Sequence, residues 1–109
     1  MLDEKILGAL KAQHGSAIHI NIPANDYDDE IDIVIKKPPR AEYKRFRAML
    51  FDEAQKPEAL ETLACACVIY PEIAEFRKLL TERPALGDKV GGKCSDAAGG
   101  GGEAQAKKL

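Results

Sequence analysis

The sequence predicts an α+β domain that is mostly helical: an N-terminal helix, a β-hairpin, then a bundle of three to four short helices. Three observations predict it. Apolar residues near the N-terminus recur at helical spacing, two later segments alternate strictly, and from Pro38 onward prolines punctuate a run of helical period. The 109 residues make one domain, which on folding hides about two-thirds of the surface of the unfolded chain. Apolar residues are dense from Leu2 to Val90 and sparse after it. Residues 1–98 are therefore expected to form the domain and 99–109 a flexible Gly-rich tail, too poor in apolar groups to offset the entropy of ordering.

Asp3 to Gln13 reads as the first helix. Ile6, Leu7 and Leu10 share a face, Asp3 and Glu4 sit at the positive end of the helix dipole, and Gly15 is placed to take the left-handed stop. Ile18-His19-Ile20-Asn21-Ile22 then alternates with period two, as does Ile31-Asp32-Ile33-Val34-Ile35. A short polar loop joins them, so they are expected to pair as an antiparallel hairpin. A lone hairpin is marginal in water, so its isoleucine face must pack on helices or on a sheet from another subunit. Pro39 opens a helix to about Gln55 with Tyr43, Phe46, Met49 and Leu50 inward. Pro57 opens a second with Leu60, Leu63, Ala64, Cys67 and Val68, and Pro71 a third with Ile73, Phe76, Leu79 and Leu80. Pro84 opens a weaker fourth with Leu86, Val90 and Cys94 inward; its glycines, each costing about 1 kcal/mol in an exposed helix, are accounted for only by close packing on a neighbour.

Several function classes find no support in the residues. The formal net charge of −2 marks neither a dedicated nucleic-acid binder nor a membrane-surface protein. No apolar run approaches the ~20 residues needed to span a bilayer, and the N-terminus lacks the basic start and apolar run of a signal peptide. A cytoplasmic location with three free thiols is expected. Cys65-Ala66-Cys67 is not a metal motif, because thiols two apart on a helix diverge and no further ligands stand at zinc spacing. His14 and His19 have no neighbouring nucleophile or carboxylate in sequence. The acidic loop Asp26-Tyr27-Asp28-Asp29-Glu30 is too short for a calcium loop and lacks its glycine. Gly91-Gly92-Lys93-Cys94 has cysteine where a phosphate loop needs a hydroxyl. No catalytic residue, metal site or cofactor is expected.

The one patch that reads as functional is basic: Lys36, Lys37, Arg40, Lys44, Arg45 and Arg47 cluster at the end of the second strand and along the next helix. Tyr43 and Phe46 are interleaved, but the apolar face of that helix needs them. No nucleic-acid-binding signature accompanies the charges, so a solvated face or electrostatic contact with an acidic partner is preferred over nucleic acid.

The order of punctuated helices resembles the tail assembly chaperones of long-tailed bacteriophages and related prophages. The resemblance rests on Lys36-Lys37-Pro38-Pro39 followed by Arg40-Ala41-Glu42-Tyr43, on Cys67-Val68-Ile69-Tyr70 halted by Pro71, on Phe76 with Leu79-Leu80, and on Pro84-Ala85-Leu86 leading to Gly91. It covers roughly residues 31–98. It implies a non-enzymatic helical protein of the host cytoplasm that coats the tape-measure protein while tail-tube subunits polymerise around it. Self-association is common there, as is a longer frameshifted product, for which 99–102 would suit a junction. Such a chaperone needs an apolar groove for client segments and a charged rim. Phe51 and Ile69, off the main stripes of their helices, are the expected contacts, with Ile73, Phe76, Arg40, Lys44 and Arg47. Two alternatives stand beside it: a nucleic-acid-associated phage or regulatory protein using the basic 36–47 patch, and a structural head–tail virion component.

Overall fold

The structure, a computed structural model, describes residues 3–100 and 105–108. In chain order it contains α1 (Glu4–His14), β1 (Ile18–Ile22), β2 (Ile31–Ile35), α2 (Arg40–Leu50), a 3-10 turn (Lys56–Glu58), α3 (Ala59–Cys67), β3 (Val68–Tyr70), α4 (Ile73–Glu82), α5 (Leu86–Ser95) and a closing turn (Asp96–Gly100). The architecture is α+β with a first helix, a hairpin and then helices, as expected. α1 begins and ends on the anticipated signals. The Asp3 carboxylate accepts from the Ile6 N–H at 2.9 Å, and Gly15 stops the helix at φ 80°.

β1 and β2 pair antiparallel, with Ile18 opposite Ile35, Ile20 opposite Ile33 and Ile22 opposite Ile31. All six isoleucines therefore share one face. All but Ile18 lie against the helical core made by Phe46, Met49, Leu63, Phe76, Leu80, Leu86 and Val90 among others, with Ile33 and Ile35 fully enclosed. α5 lies closest on α3, and its glycines explain the approach. A Cβ at Gly91 would stand 2.7 Å from the carbonyl carbon of Leu60 and nearer still to its oxygen. Only a residue without a side chain fits there.

Three expectations need correction. The helix opened by Pro39 stops at Leu50 rather than near Gln55. Asp52 turns the chain by accepting from the Ala54 N–H at 3.0 Å and the Gln55 side chain at 2.7 Å, so the local hydrogen bonds compete with a further helical turn. Leu50, placed inward by periodicity, is consequently exposed at the helix end. Val68 leaves the helical period and opens a third strand, which pairs antiparallel with β2 through Val34–Tyr70 and Ile35–Val68 in the sheet order β1-β2-β3. Two β-branched residues and a tyrosine held extended by the following Pro71 favour strand over helix. The shared face of Ile6, Leu7 and Leu10 is only half-buried and does not join the core cluster, so α1 lies outside the main core. The closing turn carries Ala97 onto that core and kinks at Gly99, φ 94°. Residues 105–108 are exposed without regular structure; the rest of the expected tail, 101–104 and 109, lies outside the described residues.

Candidate functional site

At about 100° per residue, Arg40, Lys44, Arg47 and Phe51 fall within roughly 60° of arc on α2 and its cap. The opposite side of the helix is fixed by packing: Phe46 and Met49 are buried, and the Tyr43 ring lies 5.7 Å from that of Phe46. The core thus turns the basic stripe to solvent. Arg40, Lys44 and Arg47 line a single open cleft of about 330 Å³ with Pro38, Tyr43 and Ala98, the last supplied by the closing turn. Among the described residues, none of the three cations comes within 4.0 Å of a carboxylate; the ion pairs present are His19–Asp32, Lys78–Glu75 and Arg83–Asp28. At the end of the same stripe Phe51 is 85% exposed. Four of the seven sequence-predicted contacts therefore form one surface: three unpaired cations leading to a bare aromatic ring.

The other three lie elsewhere. Ile69 is half-buried in the middle of β3, and Ile73 opens α4 at 41% exposure, although periodicity turned it inward. Phe76 is 0% exposed and belongs to the core cluster. It has no surface to offer a partner, and its place among the expected contacts is corrected.

The fold also assembles two groupings that the sequence did not reveal. His19 finds a carboxylate after all: its Nε2 lies 2.8 Å from Asp32 Oδ1, which also accepts from the Asn21 side chain at 2.9 Å. The pairing of Asn21 with Asp32 makes His19 the diagonal neighbour across the hairpin. These two hydrogen bonds, Asn21 first, hold the Asp32 carboxyl below its ordinary range. The group lies on the outward sheet face with no hydroxyl or thiol bonded to the imidazole among the described residues, so it ties strand to strand and lacks a nucleophile to activate. The second grouping is a cleft of about 540 Å³ where Arg45 from α2 meets Arg77 and Thr81 from α4 over Glu61, Thr62 and Cys65 of α3. Burial first, then the nearby Glu58 carboxylate, pushes Glu61 up. Burial likewise pushes the Cys65 thiol up, reinforced by Glu61 and opposed by Arg77.

The cysteines behave as small core groups. Cys67 and Cys94 are fully enclosed between α3 and α5 with their thiols facing each other, and Cys65 is half-buried. The Cys67 thiol and burial together raise Cys94 far above the ordinary thiol range. Among the described residues there is no cluster of three or more side chains able to hold a metal ion, and no helix is long and apolar enough to cross a membrane.

Comparison with curated proteins returns no match. A solved structure described as the uncharacterised protein rbstp2171 from Bacillus stearothermophilus is similar, with a TM-score of 0.75 at 22% identity over 92% of this chain and 98% of that one. At that identity the likeness is one of fold. A family profile matches residues 10–107, and the chain accordingly belongs to DUF6848, a family described as a domain of unknown function.

Proposed function

We propose that this chain is a non-enzymatic protein-binding module that serves as a phage tail assembly chaperone, holding the tape-measure protein while the tail tube forms. The observation that carries the binding role is the α2 stripe, where Arg40, Lys44 and Arg47 share a cleft without carboxylate partners among the described residues and Phe51 stands exposed at its end. Aromatic and arginine side chains are enriched at protein interfaces, and an amphipathic helix docks through its apolar side chains. A segment with acidic residues beside an apolar side chain complements it. The assembly role is supported by the Pro-punctuated pattern from Lys36 to Gly91. Co-expression with a tape-measure protein of a long-tailed phage tests it. The client should gain solubility and co-purify with the wild type, and both effects should be lost in a variant carrying Arg40→Glu, Lys44→Glu and Arg47→Glu. A client that neither gains solubility nor co-purifies with wild type refutes the proposal.

The same three free cations favour a second reading, contact with a nucleic-acid backbone. Three phosphate contacts predict that log K falls with log salt at a slope of roughly −2 to −3. Absence of a gel shift at low salt ends that reading. Mass spectrometry of mature particles separates a chaperone, which leaves, from a head–tail virion component, which stays.

A further inference from the structure

We propose that β1 is a docking edge for a second copy of this chain, the two β1 strands pairing antiparallel about a two-fold axis at Ile20 to join the two sheets. The three-stranded sheet has two outer edges. The β3 edge is three residues long and closed by Pro71, which is how natural sheets blunt an edge against added strands. The β1 edge is five residues long and contains no proline, lysine or bulge within it; Pro23 follows it directly, so the difference between the two edges is one of length. No turn, loop or cap backbone hydrogen bond among the described residues involves positions 18–22. Their outward N–H and C=O groups form an open template.

The residues also say what fits there. Beside the free edge lies a cleft of about 510 Å³, lined by positions 18–21 and, at the end of α5, by Lys93, Asp96 and Ala97. A strand laid against β1 would set its inward side chains over that cleft. Ile18-His19-Ile20-Asn21-Ile22 has the same apolar–polar order read in either direction. Pairing with itself therefore sets Ile20 against Ile20 of the second copy, Ile18 against Ile22, and His19 against Asn21. Slipping by one residue opposes isoleucine to asparagine across the axis, and slipping by two shortens the ladder. In the matched register the isoleucine face runs on unbroken from one sheet to the other, and Ile18, 37% exposed in the single chain, is covered. His19 is the one ionisable residue in either strand, and its counterpart in this register is the neutral Asn21. His19 and Asn21 are already drawn back onto Asp32. A five-residue ladder alone covers less than the ~1,200 Å² of a stable interface. The adjacent α1 stripe of Ile6, Leu7 and Leu10, outside the core and three residues from β1, adds apolar surface. The dimer is thus expected to depend on concentration.

Sedimentation equilibrium of the full chain tests this without any client, so its outcome is independent of the chaperone role. The apparent mass should rise from 11.9 kDa towards twice that value with concentration. Ile18→Lys keeps its charge in water in the single chain but buries it against Ile22 of the second copy. It should hold the monomer mass at concentrations where the wild type is dimeric, with the same thermal unfolding in dilute solution. A cross-link fixes the register independently. Ile20→Cys in a Cys65→Ser background should give a covalent dimer with oxidised glutathione, because facing residues of an antiparallel pair have Cα atoms about 4.5–5.5 Å apart, within disulfide reach. Two thiols lose two hydrogens as the glutathione disulfide is reduced to two thiols. His19→Cys in the same background should stay monomeric on a non-reducing gel, since its counterpart is residue 21. A wild type at 11.9 kDa throughout, a dimer indifferent to Ile18→Lys, or preferential cross-linking of His19→Cys would each overturn the proposal.

Discussion

Three glycines on one helix should respond to alanine with three different outcomes, ordered by what each new methyl meets. Replacing a helical glycine by alanine gains about 1 kcal/mol of backbone propensity where nothing opposes it. At Gly92 a Cβ meets nothing within 4 Å, so Gly92→Ala should gain close to that full amount. At Gly87 the Cβ would lie 3.1 Å from both Cβ and Cγ of Glu61, a side chain at the rim that can give by a few tenths of an ångström, so Gly87→Ala should come out near neutral. At Gly91 the obstacle is mainly backbone: the carbonyl oxygen of Leu60 and its carbonyl carbon at 2.7 Å, with the root of its side chain, Cβ, at 2.9 Å. α5 must then retreat from α3, loosening Val90 and Cys94 against Leu63 and Cys67. Overpacking of that kind costs up to about 3 kcal/mol, and the propensity gain leaves a net loss of about 2 kcal/mol. For a domain of this size that lowers the melting temperature by roughly 8–16 °C. Thermal and urea unfolding followed by circular dichroism, with m-values compared, read the series. A Gly91→Ala variant as stable as wild type, or one that moves in the same direction as Gly92→Ala, would refute the account of why α5 carries glycine.

The phenylalanines should separate core from surface. Phe76→Ala, at a fully enclosed site, should cost about 3–5 kcal/mol, whereas Phe51→Ser should change stability by less than ~0.5 kcal/mol yet weaken client capture in the co-purification assay. Asp32 should show in the acid limb of stability. Its folded carboxyl lies below the ordinary 3.8, so its contribution is present above that pH and is lost as pH falls through the lower folded value; Asp32→Asn should flatten that limb by no more than ~1 kcal/mol, read as melting temperature against pH. A thiol reagent at neutral pH should label half-buried Cys65 slowly, its thiol being pushed up by burial, and reach the enclosed Cys67 and Cys94 only on unfolding. Equal native-state labelling of all three would contradict the packing of α3 on α5.

The parts of the fold that were readable in sequence are those where one local rule acts alone. The alternation of the two isoleucine strands, Gly15 as a helix stop and the glycines of α5 each follow from period or backbone freedom. β3 was not readable because Cys67 to Tyr70 is an unbroken apolar run continuing straight from a helix. Only its β-branched pair and Pro71 hint at the change, and pairing with β2 decides it. The α2 stripe was readable because its members are helical neighbours. The cleft shared by Arg45 and Arg77 was not, since these residues sit on helices brought together only by packing on α3. His19 and Asp32 fall between these cases. Alternation places both on the outward face, but their meeting depends on a register that the loop between the strands leaves open until Ile22 is known to face Ile31.

The arrangement of α2 argues for a partner on energetic grounds that its exposure alone would not supply. Solubility would be served by mixed charges, yet the solvent stripe carries cations only, and Arg40 is the first residue of the helix. A cation there faces the positive end of the helix dipole, unfavourable by about 0.3–1 kcal/mol. It also precedes Lys44 by four residues, and Lys44 precedes Arg47 by three, like-charge neighbours that each cost about 0.2–0.5 kcal/mol. The isolated domain gains nothing from this placement. An acidic segment in the cleft would offset both terms at once. Arg40→Glu reverses them within the free protein, turning the dipole contact favourable and creating a Glu-to-Lys44 pair of the preferred orientation. It should therefore raise the unfolding free energy by about 1 kcal/mol while lowering retention of the client. A substitution that stabilises the domain and weakens its binding would mark Arg40 as held for a partner, and a loss of stability on Arg40→Glu would show that the arginine serves the fold instead.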